Sequence, residues 1–378
     1  MSGFVFSEKP IEIESGEGAY LYGQDGTEYL DFGASYAVAS LGHNHPAVTE
    51  AVQEQAEKLT YVQASYPVDV RTELYEKLGT LAPGDISNVW LCNSGTEANE
   101  AAMKFARSAT GRSKIIATKR GFHGRTMGAL AMTWKDKYKE PFEPLAGDVE
   151  FVSYGDGEEL AEAVDEETAA VFLEPVQGEG GIHPAATEYL ETAREATEEA
   201  GAALVFDEIQ TGLGRTGTLW ACEAAGVEPD ILTSAKGIAN GLPMGATLVA
   251  DWIAEDPGNH GSTFSGGPVV CAAANATLET IVDEDVPGHA AAVGEYLKSE
   301  IETATEEHDL PVREVRGQGL MLGIQVKRGA NRILKNLAIS EGVLALPAGR
   351  SVVRLLPPLV VTEDHADEFV DAFAEVLR

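Results

Sequence analysis

Lys236 stands in Thr233-Ser234-Ala235-Lys236-Gly237, behind an apolar run and among small residues. A lysine held partly out of water loses basicity and becomes an amine nucleophile toward carbonyls. Alone, it is better read as a lysine snorkelling from a strand end; its neighbours change that reading. Asp207 and Glu208 close the apolar run 203–206. A carboxylate there can hold the protonated nitrogen of a pyridine ring, the electron sink that pyridoxal chemistry needs. A helix cap or a structural ion pair is the plainer account of Asp207 alone. Ser94-Gly95-Thr96 separates an apolar run from a helical pattern. Free N–H groups at such a helix start favour a phosphate. Gly261-Ser262-Thr263-Phe264 offers further hydroxyl and amide donors. In Phe122-His123-Gly124-Arg125, an aromatic face that can stack on a ring adjoins a guanidinium that can fork onto a substrate carboxylate.

Strands and helices must bring these residues together. Short apolar runs at 89–92, 115–117, 169–173, 202–206 and 231–232 read as strands, alternating with helical patterns. The clearest helix follows the 93–96 turn, with Ala98, Ala101, Ala102, Phe105 and Ala106 at helical spacing. The class is therefore α/β, a mostly parallel central sheet covered by helices. Polar segments follow the strands at 120–125, 174–181, 207–214 and 233–237. Ligands of open parallel sheets bind beyond the strands' carboxyl ends, so these segments should meet at one crevice. The strand at 352–356 stops at Pro357-Pro358. Thr362 then caps a last helix with Ala366, Phe369, Val370, Phe373 and Leu377 on its apolar stripe. The expected division is an N-terminal segment, 1–45, containing a hairpin at 18–32; a large domain, 46–270; and a smaller α+β domain, 271–378.

Composition narrows the class. The 378 residues are 44% hydrophobic, which suits a folded globule. No run approaches a membrane span, and the first residues lack the basic and apolar regions of a secretory signal. Three scattered cysteines, Cys92, Cys222 and Cys271, fit a reducing cytoplasm. The net charge of -34 disfavours nucleic acid and anionic membranes as partners. Because the acids are spread along the chain, a solvated surface adapted to high salt explains them better than an acidic docking face. Gly212-Leu213-Gly214-Arg215-Thr216-Gly217 matches a dinucleotide fingerprint, but Asp207 to Thr211 separate it from the strand that such a site requires. His43 and His45 lack further ligands nearby and read as a turn before Pro46.

The segments NSGTEANEAAMKFAR, FHGRT, EPVQGEGG, VFDEIQTGLGRTG, SAKG and HGSTF occur in one order along nearly the whole chain. In them the sequence resembles class III aminotransferases of the ornithine and acetylornithine type. That resemblance implies a fold type I architecture, pyridoxal 5'-phosphate as cofactor and a homodimer. Lys236 then holds the cofactor covalently and moves the substrate proton, while Asp207 faces the pyridine nitrogen. Gln210 is expected at the phenolic oxygen, Phe122 against the ring, and Gly95 and Thr96 on the phosphate, with Thr263 joining them from the second subunit. Arg125 is expected on a substrate carboxylate. Arg354 would receive glutamate's α-carboxylate, with Glu179 as its alternative partner, and Tyr36 and Ser262 would complete the substrate site. Ser265-Gly266-Gly267-Pro268 replaces the family's usual Gly-Gly-Asn-Pro. The implied reaction exchanges an amino group between glutamate and an N-protected semialdehyde, for arginine or lysine synthesis. The protecting group would be acetyl or an amino-group carrier protein. A glutamate-1-semialdehyde aminomutase and a non-catalytic binding protein on the same fold are the alternatives.

Overall fold

The computed structural model describes residues 9–378. Residues 1–8, the first part of the expected N-terminal segment and of the stretch read for a signal, lie outside the described residues. Strands β1 (Ile13–Glu17), β2 (Tyr20–Gly23) and β3 (Glu28–Asp31) form an antiparallel meander. The central sheet takes β4 (Asn88–Cys92), β5 (Lys114–Thr118), β6 (Asp148–Val152) and β7 (Thr168–Leu173). A small pair, β8 (Val176–Gln177) with β9 (His183–Pro184), precedes β10 (Ala203–Asp207), β11 (Ile231–Ser234) and β12 (Gly245–Val249). The order across the seven-stranded sheet is β4-β12-β11-β10-β7-β5-β6. Only β12 runs against its neighbours β11 and β4; the rest are parallel.

Both faces of the sheet are buried, and the two-residue period of a strand distributes its side chains between them. Ile115, Phe172 and Val205 pack on one side with Ala101, Ala102 and Ala106 of the helix Gly95–Thr110. Ile116, Val171 and Leu204 point to the other side. The alanines let that helix lie close, so that the Thr247 hydroxyl of β12 donates to the Ala98 carbonyl at 3.0 Å.

The C-terminal part folds around β13 (Val312–Gln318), β14 (Met321–Val326), β15 (Val343–Leu344), β16 (Leu346–Pro347) and β17 (Val352–Leu355). The sheet β13-β14-β17-β16 is antiparallel. β15 instead pairs in parallel with β3, and Phe32 stacks on Phe369 of the last helix, Glu363–Leu377, at 4.7 Å. These contacts fasten the N-terminal meander to the C-terminal part. Position 271 falls inside a continuous helix, Pro268–Asp283. That helix packs on the helices Pro46–Lys58 and Asp69–Leu81. We therefore propose that the large unit extends through it and that the division falls at the turn before the helix Val286–Glu307.

A buried guanidinium joins the two parts. Arg215 Nη1 donates to the carbonyls of Leu320, at 3.0 Å, and Pro357, at 2.5 Å. It has no carboxylate partner among the described residues, and burial pushes it down to about 9. The glycine fingerprint around it is a string of turns followed only by the short 3-10 helix Ala221–Ala225, with no α-helix behind it.

Candidate active site

A cavity of about 470 Å³ opens at the carboxyl ends of the parallel strands. The chain leaving β4 supplies Gly95 and Thr96, and that leaving β5 supplies Phe122 and Arg125. β7 is followed by Glu174 and Glu179, β10 ends in Asp207 with Gln210 beyond it, and Lys236 follows β11. Strand order places the aspartate strand beside the lysine strand.

Asp207 is buried and heavily supported. Its Oδ2 accepts from His123 Nδ1 at 2.7 Å and from Asn99 Nδ2 at 2.8 Å; its Oδ1 accepts from the Ile209 N–H at 3.1 Å. Asn99 is oriented in turn by the Thr233 hydroxyl, which donates to Oδ1 at 2.9 Å. Burial opposes a charge on His123, but the bond to Asp207 prevails and raises its pKa. Glu174 accepts N–H groups of Phe122 and Gly178 at 3.0 and 3.3 Å, yet burial pushes it up to about 7. The adjacent Glu208 does different work. Its carboxylate holds the Cys222 N–H at 2.9 Å and the Thr211 hydroxyl, fixing the loop behind Asp207.

Lys236 adopts a left-handed backbone conformation, φ 47°, at the start of a short helical turn. Burial first, then the like charge of Arg354, lower its amine to about 8. Opposite it, the fully buried Arg354 places Nη2 2.7 Å from Glu179 Oε1. Burial disfavours charge on Glu179, but Arg354 prevails and holds it below the usual carboxylate range. Gln210 Oε1 accepts from Arg354 Nη1 at 3.2 Å. The Tyr36 ring covers the guanidinium, 5.3 Å from its centre. Ala34, Ser35, Tyr36 and Ala37 all have positive φ, from 39° to 68°, so Tyr36 rides on one left-handed turn. Such a turn costs roughly 1–2 kcal/mol per residue and persists only where its surroundings impose it.

At the phosphate-favouring end, the helix Gly95–Thr110 starts with N–H groups that have no partner in the helix. A Cβ on Gly95 would stand 2.8 Å from the Ile209 side chain, so only glycine lets the helix start approach the Asp207 loop this closely. The Thr96 hydroxyl meets that of Thr126 at 2.8 Å and accepts the Arg125 and Thr126 N–H groups at 3.2 Å. Arg125 lies over Tyr138, 4.8 Å from the ring centre.

The cavity thus gathers Gly95, Thr96, Phe122, Arg125, Glu179, Asp207, Gln210 and Lys236, with Arg354 and Tyr36 joined to its wall. It does not gather Ser262 and Thr263. Ser262 Oγ accepts from Asn93 Nδ2 at 3.2 Å, and the exposed Thr263 accepts the Tyr61 hydroxyl through its backbone carbonyl. Fully buried Arg71 shapes this region by donating to the carbonyls of Val62, Ala64, Tyr66 and Gly266 at 2.6–3.3 Å. His43 Nε2 meets Asp31 at 2.9 Å, and His45 precedes Pro46 at a helix start. Sequence reasoning missed His123, Glu174 and Asn99. His123 and Glu174 lay inside noted polar segments, which was the one available signal.

The family model for class-III aminotransferases matches residues 6–377. The chain is 44% identical, over 99% of its length and 87% of the relative's, to a LysW-aminoadipate semialdehyde transaminase of Deinococcus radiodurans. It is also 44% identical to an acetylornithine aminotransferase of Methanopyrus kandleri, over 99% and 96% of the two chains. The fold superposes on the ornithine aminotransferase of Toxoplasma gondii with a TM-score of 0.93 and 32% identity, covering 98% of this chain and 91% of that one.

Proposed function

The chain belongs to the class III aminotransferases, which are pyridoxal-phosphate-dependent and have the fold type I architecture; from that premise we propose that it exchanges an amino group between glutamate and an N-protected ω-semialdehyde, in arginine or lysine synthesis. The observation that carries this reading is the Arg354–Glu179 pair, set in the wall of the cavity that holds Lys236 and Asp207. The residues present fit the cofactor. Lys236 would hold it covalently, Asp207 would face its ring nitrogen, Phe122 its ring and Gln210 its phenolic oxygen. Gly95 and Thr96 would receive its phosphate. When bound, the cofactor supplies an electron sink for the carbon that bears the amine.

The chain's own residues do the rest. His123 and Asn99 fix the Asp207 carboxylate, so it keeps its aim toward a ring proton. Once released from covalent duty, the Lys236 amine can take a proton from the substrate carbon and return it, as its lowered basicity allows. Glutamate presents an α-carboxylate, which displaces Glu179 from Arg354. An ω-amine has no carboxylate at that carbon, so Glu179 stays paired and neutralises the buried guanidinium. Arg125, in the cavity lining, would meet the carboxylate at the far end of either substrate.

Thr263 would reach the phosphate from a second copy, making a homodimer the active unit. The exposed, adjoining rings of Tyr61 and Phe264, 5.6 Å apart, support such a face. Three free, buried cysteines suit a reducing cytoplasm, and the charge of -34 suits a salt-rich one. No helix among the described residues is long and apolar enough to cross a membrane.

The test is a half-reaction. Glutamate alone should convert the bound cofactor's visible absorption band to that of its aminated form, and 2-oxoglutarate should restore it. A band indifferent to glutamate would reject the donor and favour an aminomutase. Complete folding and activity at low salt would reject the salt requirement.

A further inference from the structure

Glu174 is the first residue beyond β7 and lines the cavity, yet the amino exchange itself gives it no part. It is buried, and no Lys, Arg or His stands within ion-pair distance of it among the described residues. A buried carboxyl without a cation is costly unless hydrogen bonds offset the loss of water. Here main chain engages both oxygens. Oε2 accepts the Phe122 N–H at 3.0 Å, and Oε1 accepts the Gly178 N–H at 3.3 Å.

Those two N–H groups belong to different working parts. Phe122 carries the side chain expected against the cofactor ring. Gly178 precedes Glu179, the partner of Arg354. A Cβ on Gly178 would collide with Gln210 Oε1, the oxygen that accepts from Arg354. On its other side, Glu179 gives its carbonyl to Lys135 Nζ at 3.0 Å. The main chain is therefore held before and after Glu179, while the partly exposed side chain is left to turn. Gln177 adds a second stitch, donating Nε2 to Thr118 Oγ1 and to the Lys119 carbonyl, both at 3.0 Å. The anchor is itself fixed, because the Tyr154 hydroxyl donates to the Glu174 carbonyl at 2.8 Å.

We propose that Glu174 is a positioning residue whose carboxyl ties the Phe122 loop to the Glu179 turn, so that one group sets both the ring-stacking side chain and the choice between the two amines. The proposal rests on the reading that Glu179 yields Arg354 to glutamate and keeps it against an ω-amine. A carboxylate accepts at both oxygens, whereas an amide or a protonated carboxyl turns one of those positions into a donor. With the tie weakened, Glu179 leaves Arg354 more readily, which favours glutamate over the ω-amine. His123 beyond β5, Tyr154 beyond β6, Asp207 at the end of β10 and Lys236 beyond β11 face the carboxyl. Each bears on both half-reactions alike, so its effect cancels in their ratio.

Glu174→Gln in the cofactor-loaded protein tests the tie by two readouts. Amide hydrogen exchange should quicken about fivefold in the segments around Phe122 and Gly178 together, the scale of one hydrogen bond, and stay unchanged in the helix Thr187–Ala200. The ratio of kcat/KM for glutamate to that for N-acetylornithine, from the two half-reactions, should rise by a similar factor of about five at pH 8. In the parent that ratio should fall as pH rises through about 7, where Glu174 ionises, and in the variant it should stay flat. Unchanged amide exchange, or a rise in only one of the two segments, would overturn the tie whatever the kinetics. Faster exchange in both with an unmoved ratio would overturn its hold on amine choice. A parent that ignores glutamate would instead reject the donor reading, and amide exchange at the two segments would still decide the tie.

Discussion

Glu179 reaches Arg354 across the cavity wall with 2.7 Å between Oε1 and Nη2, although the arginine side chain is fully buried and the glutamate is 25% exposed. The exposed partner is the movable one. Its departure leaves a buried guanidinium ready for another carboxylate.

Glu179→Gln removes that competitor. The glutamate half-reaction should speed up by roughly tenfold in kcat/KM, the scale of one charged hydrogen bond, while ω-amine donors slow by a similar factor. Stopped-flow traces of the two half-reactions measure both. Parallel changes in the two would show that Glu179 does not discriminate between them.

Lys236, lowered to about 8, should show that value in the cofactor-free protein. The rate at which the visible band grows on adding pyridoxal phosphate should rise about tenfold per pH unit and level off near pH 8. An ordinary lysine would keep accelerating toward 10.5. Lys236→Arg should take up no cofactor covalently.

Glu174 carries a pH signature. Its carboxyl is higher in the folded chain, at about 7, than its ordinary 4.5. A group raised on folding contributes in full below the unfolded value and loses that contribution as pH rises through the folded one. Glu174→Gln has no such proton to lose. Relative to the parent it should gain up to about 3 kcal/mol between the two limits. Melting curves recorded from acid to neutral pH that stay parallel would refute this.

Much of this arrangement could be read from the chain, because five of the seven strands of the central sheet were apolar runs with a polar segment behind them. The crevice followed from that pattern, as did the places of Lys236, Asp207 and the Gly95 helix start. β12 escaped notice, since nothing in Gly245-Ala246-Thr247-Leu248-Val249 encodes its direction, which is set by pairing with β11 and β4. His123, Asn99 and Thr233 become one network only when β5, β10, β11 and the helix after β4 are stacked, and no local spacing links them. The left-handed turn was also hidden, because Ala34-Ser35-Tyr36-Ala37 contains no glycine to announce it.

Ser35 tests that turn. It is exposed and has φ 52°. Ser35→Gly should relieve about 1 kcal/mol of strain, partly offset by the entropy glycine adds to the unfolded chain, and raise Tm by about 1–2 °C. A lower Tm would mean that the turn is not strained at this position.

Arg71→Lys replaces a planar fork with a single ammonium that cannot reach four carbonyls at once. Stability should fall by about 2–4 kcal/mol, and the loops carrying Tyr61 and Thr263 should loosen together. Because this face is the proposed dimer contact, size-exclusion chromatography should then show more monomer and weaker cofactor retention. An unchanged dimer with full cofactor would separate Arg71 from that face.

Arg215 clasps the two parts of the molecule through main-chain carbonyls alone. Dissolved ions screen exposed charge pairs within a few ångströms as their concentration climbs, but they do not enter a dry interior to reach a peptide dipole. The joint is therefore indifferent to brine. The acceptors themselves do not depend on side-chain identity, because any residue at positions 320 and 357 still offers the same oxygen.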